Sequence, residues 1–175
     1  MRTDDVVKHA AGAPPGFYEA EAAGLAWLAA AEGAGGARVA RVPEVEAGRL
    51  VLERVPSGTP TQSAARAFGR ALAATHRSGA PWFGCPPPGW AGNGFIGDAP
   101  LSFVRESADG EIASAWGPFF ARHRVAPYMR TARERGALDA AGVRVLESVC
   151  ARLDRSDVDL VADPEEPPSR LHGDL

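Results

Sequence analysis

The sequence predicts an α+β fold in which a small sheet with one helix precedes a mainly helical part. Within residues 1–55, short runs rich in Val and Leu lie on either side of a segment rich in Ala, Leu and Glu, a composition that favours a helix. From residue 61 onward, the long periodic segments are nearly all helical in pattern. Strands first and helices afterwards indicate two lobes rather than an alternating α/β fold.

The first lobe is assigned to residues 1–55, and a Pro-Ser-Gly-Thr-Pro hinge connector to residues 56–60. Val and Leu mark the strands of this lobe, whereas Pro and Gly mark its loops. The predicted elements are a strand at Val6–Lys8, a loop at Ala11–Gly16, a helix from Phe17 to about Glu32, and strands at Arg38–Val45 and Arg49–Val55.

The second lobe is assigned to residues 61–175. Residues 80–110 are rich in Pro, Gly and Trp and are predicted to form a long ordered loop region, which is often functional. The predicted helices of this lobe are Thr61–Ser78, Ile112–Arg122, Val125–Arg135 and Leu138–Arg155.

Composition excludes several classes of protein. The net charge of the 175 residues is −3, and because nucleic-acid binding usually needs a basic face, we expect no nucleic-acid partner. No apolar run approaches the roughly 20 residues that span a bilayer, so we expect no membrane association. Cys85 and Cys150 fit no metal-binding spacing, and a reduced, cytoplasmic setting is the simplest interpretation. Composition leaves the oligomeric state open.

Lys8 is the single lysine of a chain that has 18 arginines. This is either chance in an Arg-rich chain or a sign of a site that needs a compact ammonium group. On its predicted helix, at about 100° per residue, Glu21 lies at the centre of the apolar stripe, where an unpaired carboxylate is costly. We therefore predict an ion pair between Lys8 and Glu21. The alternative is that Glu21 lies at the end of the stripe and reaches water.

The order of strand lysine, helix glutamate, two strands, connector and helix is that of protein-kinase-type folds. In those folds the lysine contacts the α/β-phosphates of the nucleotide and the glutamate holds the lysine. We therefore predict Lys8 and Glu21 as nucleotide-binding residues in a two-lobed kinase-like fold. Adenine docks in such folds on backbone groups beside the connector, here Leu52, Glu53 and Arg54, although an ordinary strand end describes these residues equally well.

The last four residues of the sequence are His172-Gly173-Asp174-Leu175. An aspartate after His-Gly can accept the proton of a substrate hydroxyl during phosphoryl transfer. As a bare tripeptide the motif is weak, and a disordered tail is the alternative. Downstream of the lysine and the glutamate, however, it predicts Asp174 as a catalytic base, with His172 packed beneath the same loop.

Essentially the whole chain resembles the fructosamine kinase (ketosamine kinase) family, within the aminoglycoside-phosphotransferase-like kinases. The similar segments are Val6-Val7-Lys8, Phe17 to Leu25, Leu50 to Glu53, Asn93 to Gly97, Trp116-Gly117-Pro118-Phe119-Phe120 and His172 to Leu175. The resemblance implies transfer of the γ-phosphate of ATP, with Mg²⁺, to a sugar hydroxyl of a small-molecule or protein-bound ketosamine.

The same resemblance implies the roles of individual residues. Lys8 contacts the phosphates, Glu21 holds it, and Asp174 is the catalytic base. Trp116 and His172 are candidates for the substrate site, although Trp116 is equally expected in a helix core.

The chain departs from the family pattern at both ends. The family begins earlier, with two strands and a phosphate-covering loop, and it continues past the His-Gly-Asp motif with residues that bind Mg²⁺. We therefore expect an incomplete kinase-like fold, no protein metal ligands in these 175 residues, and no activity of this chain alone. The alternatives are a related kinase of the aminoglycoside type and a non-catalytic fragment that binds nucleotide or a partner.

Overall fold

The computed structural model describes residues 5–105, 115–157 and 166–171. Helices and short antiparallel strands both occur in it, as an α+β fold requires. The chain divides into two compact units. The first comprises Met1–Gly79, Pro86–Leu101 and Ser169–Leu175, and the second comprises Ala80–Cys85 and Ser102–Pro168. The predicted lobe limits at residues 1–55, 56–60 and 61–175 remain a prediction.

The first unit is built on a three-stranded antiparallel sheet in the order β1 (Val6–His9), β3 (Arg49–Leu52), β2 (Glu44–Glu46). The central strand β3 provides the buried side chains Leu50 and Val51, which are both fully inaccessible to solvent. Its register places Lys8 opposite Leu50 on the neighbouring strand β1. The apolar centre of the sheet therefore fixes the position of the single lysine.

The strand predicted at residues 38–45 forms only from Glu44, because Pro43 has no N–H to donate to the ladder. A backbone hydrogen bond from the Glu53 amide to the Arg41 carbonyl, 2.9 Å, lies one residue out of the β2–β3 register. The strand predicted at residues 49–55 ends at Leu52. The prediction was therefore too long for both strands.

Helix α1 (Phe17–Ala29) ends earlier than predicted and is followed by a 3₁₀ turn at Glu32–Ala34. Within α1 only Ala26 is exposed, so the helix has neighbours on almost every side rather than along one apolar stripe. One such neighbour is the hairpin of β4 (Gly94–Ile96) and β5 (Ala99–Leu101), where the rings of Phe95 and Phe17 lie 5.1 Å apart. The sequence predicted a loop there, and the hairpin was missed.

Helix α2 (Gln62–Arg77) agrees with its prediction within a residue at each end. Thr61 caps its N-terminus, because the hydroxyl accepts a hydrogen bond of 3.1 Å from the Ala64 amide. The buried Thr75 side chain accepts a hydrogen bond of 2.9 Å from the Ala37 amide. This bond attaches α2 to the segment that precedes β2.

The described helical segments of the second unit are α3 (Trp116–Phe120), a π turn (Ala121–Val125), α4 (Ala126–Glu134) and α5 (Ala140–Asp154). Its core has two centres, one at Val104 with Phe119 and one at Ala121 with Leu153. The predicted start of the first helix, Ile112, lies outside the described residues.

The predicted break between residues 122 and 125 is wrong, because the π turn joins α3 and α4 into a continuous helix. Pro127 supplies no N–H to the helix, and the Ala126 amide bonds the Ala121 carbonyl, five residues back. The His123 carbonyl, which an amide at position 127 would otherwise bond, accepts a hydrogen bond of 2.9 Å from the Arg124 guanidinium. Among the helices of the described parts of the chain, none combines the length and the apolar character that crossing a membrane requires.

Candidate functional site

The predicted ion pair between Lys8 and Glu21 is confirmed. Lys8 Nζ on β1 lies 2.6 Å from Glu21 Oε1 on α1. The two side chains are 45% and 29% exposed, so the pair is open to solvent on one side. An ammonium group that is held by one carboxylate and still accessible can also contact a second anion, such as a phosphate.

The surroundings of Glu21 on α1 differ from the expectation. Glu21 is partly exposed rather than enclosed on an apolar stripe, because no single stripe exists on this helix. Glu19, which the sequence places on roughly the opposite side, has a buried Oε2 with no hydrogen-bond partner among the described residues. Helical periodicity therefore identified the correct partner of Lys8 but not the exposure of Glu21.

At the predicted adenine-docking position, Glu53 has a structural role. Its amide donates to the Arg41 carbonyl, and its carboxylate accepts hydrogen bonds from the Arg41 amide, 3.2 Å, and from the Arg38 guanidinium. The bond from the Arg41 amide, together with the charge of Arg38, holds the pKa of Glu53 below its usual value. Adenine docking beside Leu52 and Arg54 stays a prediction, and it must use backbone groups other than the Glu53 amide.

A second carboxylate, missed by the sequence analysis, holds the same segment from the other side. Glu32, just after α1, accepts hydrogen bonds from the Val39 amide, 2.9 Å, and from the Arg41 guanidinium, 2.6 Å. These bonds lower the pKa of Glu32, the backbone bond having the larger effect. Glu32 and Glu53 thus fix residues 38–41 between the end of α1 and the end of β3, and we call them the carboxylate clamp.

Trp116 lies at the first position of α3 and packs against both core centres of the second unit. Its ring stacks on that of Phe120 at a centroid distance of 4.8 Å. This packing matches the helix-core role that the sequence also allowed. The role of Trp116 in binding a substrate stays a prediction.

The two predicted residues of the His-Gly-Asp motif, His172 and Asp174, lie outside the described residues, and their roles stay predictions. Arg170, which precedes them, is described and was not singled out from the sequence. Its guanidinium donates to the backbone carbonyl of Trp27 at 2.9 Å and to that of Gly79 at 3.2 Å. Contacts of this kind leave no periodic signal, because the acceptors are backbone atoms that any residue would present.

Within the described ranges, no three His, Cys, Asp or Glu side chains come together in an arrangement that could hold a metal ion. The described residues therefore do not fit a Mg²⁺ site by themselves. The contact of the Lys8 ammonium with a nucleotide phosphate stays a prediction, and the partial exposure of the side chain is compatible with it.

Comparisons with known proteins agree with this geometry. The model of the fructosamine kinase family matches residues 4–175. The crystal structure of a candidate fructosamine-3-kinase from Thermobifida fusca YX-ER1 has 38% sequence identity and a TM-score of 0.77. The similarity covers 98% of this chain and 54% of that one, so this chain spans about half the length of its structural relative. None of the curated proteins compared matches the chain. The kinase-like α+β prediction is thereby confirmed, and the chain belongs to the fructosamine kinase family.

Proposed function

We propose that the complete gene product is an ATP-dependent phosphotransferase that phosphorylates a sugar hydroxyl of ketosamine adducts and so takes part in deglycation. The observation that carries this proposal is the ion pair of Lys8 with Glu21, 2.6 Å, in a chain of the fructosamine kinase family. The substrate can be a small molecule or an adduct on a protein.

Lys8 is the residue that would contact the nucleotide phosphates. Its ammonium is fixed by Glu21 but remains partly exposed, which leaves donors free for phosphate oxygens. Positioning and electrostatic stabilisation account for most of the catalysis of phosphoryl transfer, so a lysine held in place before the nucleotide binds is an advantage. When bound, ATP with Mg²⁺ supplies the transferred phosphoryl group.

Asp174 is the proposed catalytic base. A carboxylate within hydrogen-bond reach of the substrate hydroxyl accepts its proton as the new phosphate ester forms. The motif His172-Gly173-Asp174, in a chain of this family, supports that role.

The printed chain alone is expected to bind nucleotide without measurable turnover. This chain covers 54% of the length of its structural relative, and within its described ranges no three His, Cys, Asp or Glu side chains could hold a metal ion. Robust ATP-dependent phosphorylation of a fructosamine by this chain alone would contradict that expectation.

The substrate class is tested with a panel assay on the complete gene product, using ATP and Mg²⁺. We expect ³¹P NMR to show a new phosphate ester with a fructosamine or a ribulosamine and none with an aminoglycoside. Turnover of the aminoglycoside alone would instead support the related kinase class. ATP binding without turnover of any of the three would support a non-catalytic role.

The proposal includes a cytoplasmic location and no nucleic-acid partner. Neither Cys85 nor Cys150 takes part in a disulfide, which suits a reducing compartment. The net charge of −3 offers no overall attraction for nucleic acid.

A further inference from the structure

The Arg170 guanidinium binds the C-terminal ends of two helices. Its Nη1 donates to the carbonyl of Trp27, in the last turn of α1, at 2.9 Å. Its Nε and Nη2 donate to the carbonyls of Gly79 and Ser78, directly after α2, at 3.2 and 3.5 Å. One side chain therefore joins the ends of α1 and α2.

These acceptors suit a guanidinium in both charge and geometry. The last carbonyls of a helix have no partner within the helix, and they carry the negative end of its dipole. The planar guanidinium also lies over the ring of Trp27, 5.0 Å from its centroid. A lysine would keep the charge but could not offer the same fork of donors to two helices while stacking on a ring.

The backbone of Arg170 is fixed as well. Its amide donates to the carbonyl of His76, in the last turn of α2, at 3.3 Å. The side chain and the main chain of Arg170 are therefore anchored in the first unit at once.

The contacts of Arg170 connect helix α1, which carries Glu21, with the chain that leads to Asp174. Helix α1 carries Glu21, the partner of Lys8, and it reaches Arg170 through the carbonyl of Trp27. Asp174 follows Arg170 by four residues in the sequence. Four residues of fully extended chain reach at most about 14 Å, so the position of Arg170 bears directly on the chain that leads to the proposed base.

We propose that Arg170 is a positioning residue for phosphoryl transfer, which ties the chain leading to Asp174 to the helix that holds Lys8. This inference rests on the proposed function. It states that Arg170 acts through the placement of the catalytic base and touches neither the nucleotide nor the substrate.

The anchoring is tested by hydrogen–deuterium exchange on the 175-residue chain, which requires no activity. We expect R170M to accelerate exchange roughly tenfold in peptides that cover residues 76–81 and 166–171, with α5 unchanged. The matched control is R152M, which removes the 2.7 Å bond from Arg152 to Asp157 in the second unit. Exchange at 166–171 that stays at the wild-type rate in R170M would overturn the proposal, and so would acceleration that is equal in every peptide.

The positioning role is tested by kinetics of the complete gene product with ATP and a fructosamine. We expect R170M to lower kcat about 100-fold, since a misplacement of about 1 Å costs that much, while KM for ATP changes less than about twofold. R170K, which keeps the charge, should recover part of the loss, and R152M should keep the wild-type kcat. A residue that is merely structural would lower the yield of folded enzyme but not kcat per folded site.

The outcomes separate the two claims. An active wild type with an unaffected kcat in R170M would overturn the positioning role alone. A wild type that phosphorylates no ketosamine would overturn the proposed function, and the positioning role with it.

Discussion

The Nζ atom of Lys8 lies 2.6 Å from Glu21 Oε1, and this bond joins the sheet to α1 across 13 residues of sequence. Both side chains keep substantial contact with solvent, which distinguishes the pair from a buried structural ion pair. Exposed pairs contribute only about 0–1 kcal/mol to stability, so stability alone does not explain the single lysine. The proposed contact of Lys8 with the nucleotide phosphates would explain it.

We expect K8M to weaken ATP binding at least about tenfold, because the ammonium contacts the phosphates, while the melting temperature changes little. Isothermal titration calorimetry and thermal denaturation measure the two effects. The matched control is R49M, which removes the ion pair of Arg49 with Glu44 from the same sheet. Equal ATP affinity in wild type and K8M, or an equal loss in R49M, would exclude a specific phosphate contact of Lys8.

The carboxylate clamp predicts a defined dependence of stability on pH. Glu32 and Glu53 both have pKa values below the usual 4.5 in the folded chain, chiefly because each accepts a backbone hydrogen bond. A lowered folded-state pKa adds stability above the unfolded pKa, and this contribution is lost as the pH falls through the folded value. The melting temperature of the wild type should therefore decrease below about pH 4.5.

The variant E32Q/E53Q provides the comparison. At pH 7 it should melt below the wild type, and the difference should shrink as the pH falls below about 4.5, since the wild-type carboxylates then become protonated. The control E46Q removes an exposed charge from β2 without either clamp bond. A difference between E32Q/E53Q and the wild type that stays constant from pH 7 to pH 3 would show that the clamp carboxylates contribute nothing through their charge.

Gly84 and Gly89 form a matched pair of glycines with positive φ, 75° and 77°. A Cβ at Gly84 would clash with the ring of Phe119, which is buried and stacks on Phe83, whereas a Cβ at Gly89 would meet open space. We expect G89A to cost about 1 kcal/mol of backbone strain and G84A about 2–4 kcal/mol, because overpacking adds to the strain. Urea denaturation measures both, and equal losses would mean that the Phe119 ring moves aside at no cost.

Arg124 is expected to stabilise the π turn. Its guanidinium donates to the carbonyls of Ser102 and His123, both at 2.9 Å, and lies 4.7 Å from the centroid of the Phe119 ring. R124M should therefore lower the free energy of unfolding by about 2–3 kcal/mol.

The neighbouring variant R122M is the control for Arg124. It removes the exposed 3.1 Å bond from Arg122 to Asp154 and should cost only about 0–1 kcal/mol. Chemical denaturation measures the free energy of unfolding of both variants. A larger loss of this free energy in R122M than in R124M would contradict the assignment of Arg124 as the residue that supports the turn.

Sequence patterns among neighbouring residues were sufficient to predict part of the fold and the Lys8–Glu21 pair of the site. The apolar pair Val6-Val7 beside Lys8, the composition of α1 and the extent of α2 are properties of neighbouring residues, so the sequence predicts these elements directly. The pairing of Lys8 with Glu21 followed from the cost of an unpaired carboxylate on a helix in contact with a sheet. The predicted pair is confirmed, although Glu21 is partly exposed rather than enclosed on an apolar stripe.

The missed features depend on bonds between side chains and distant backbone atoms. Glu32 binds the Val39 amide, and Arg170 binds the carbonyls of Trp27 and Gly79, and none of these acceptors or donors depends on the identity of its side chain. The β4–β5 hairpin contains Pro100 in a strand, which weakens a strand pattern. The π turn lets the helix continue past Pro127, which has no N–H to donate, and the helix propensities of single residues do not predict such a turn.

The central claim is that this chain supplies the phosphate-binding lysine and the catalytic base of a ketosamine kinase. The most direct measurement is ³¹P NMR of the complete gene product with ATP, Mg²⁺ and a fructosamine, compared with its D174N variant. We predict that the wild type forms a new phosphate ester. With D174N the rate of ester formation should be lower by at least about 100-fold, since a general base contributes about 10²–10⁴-fold. An ester formed by D174N at the wild-type rate, or no ester with the wild type, would contradict the claim.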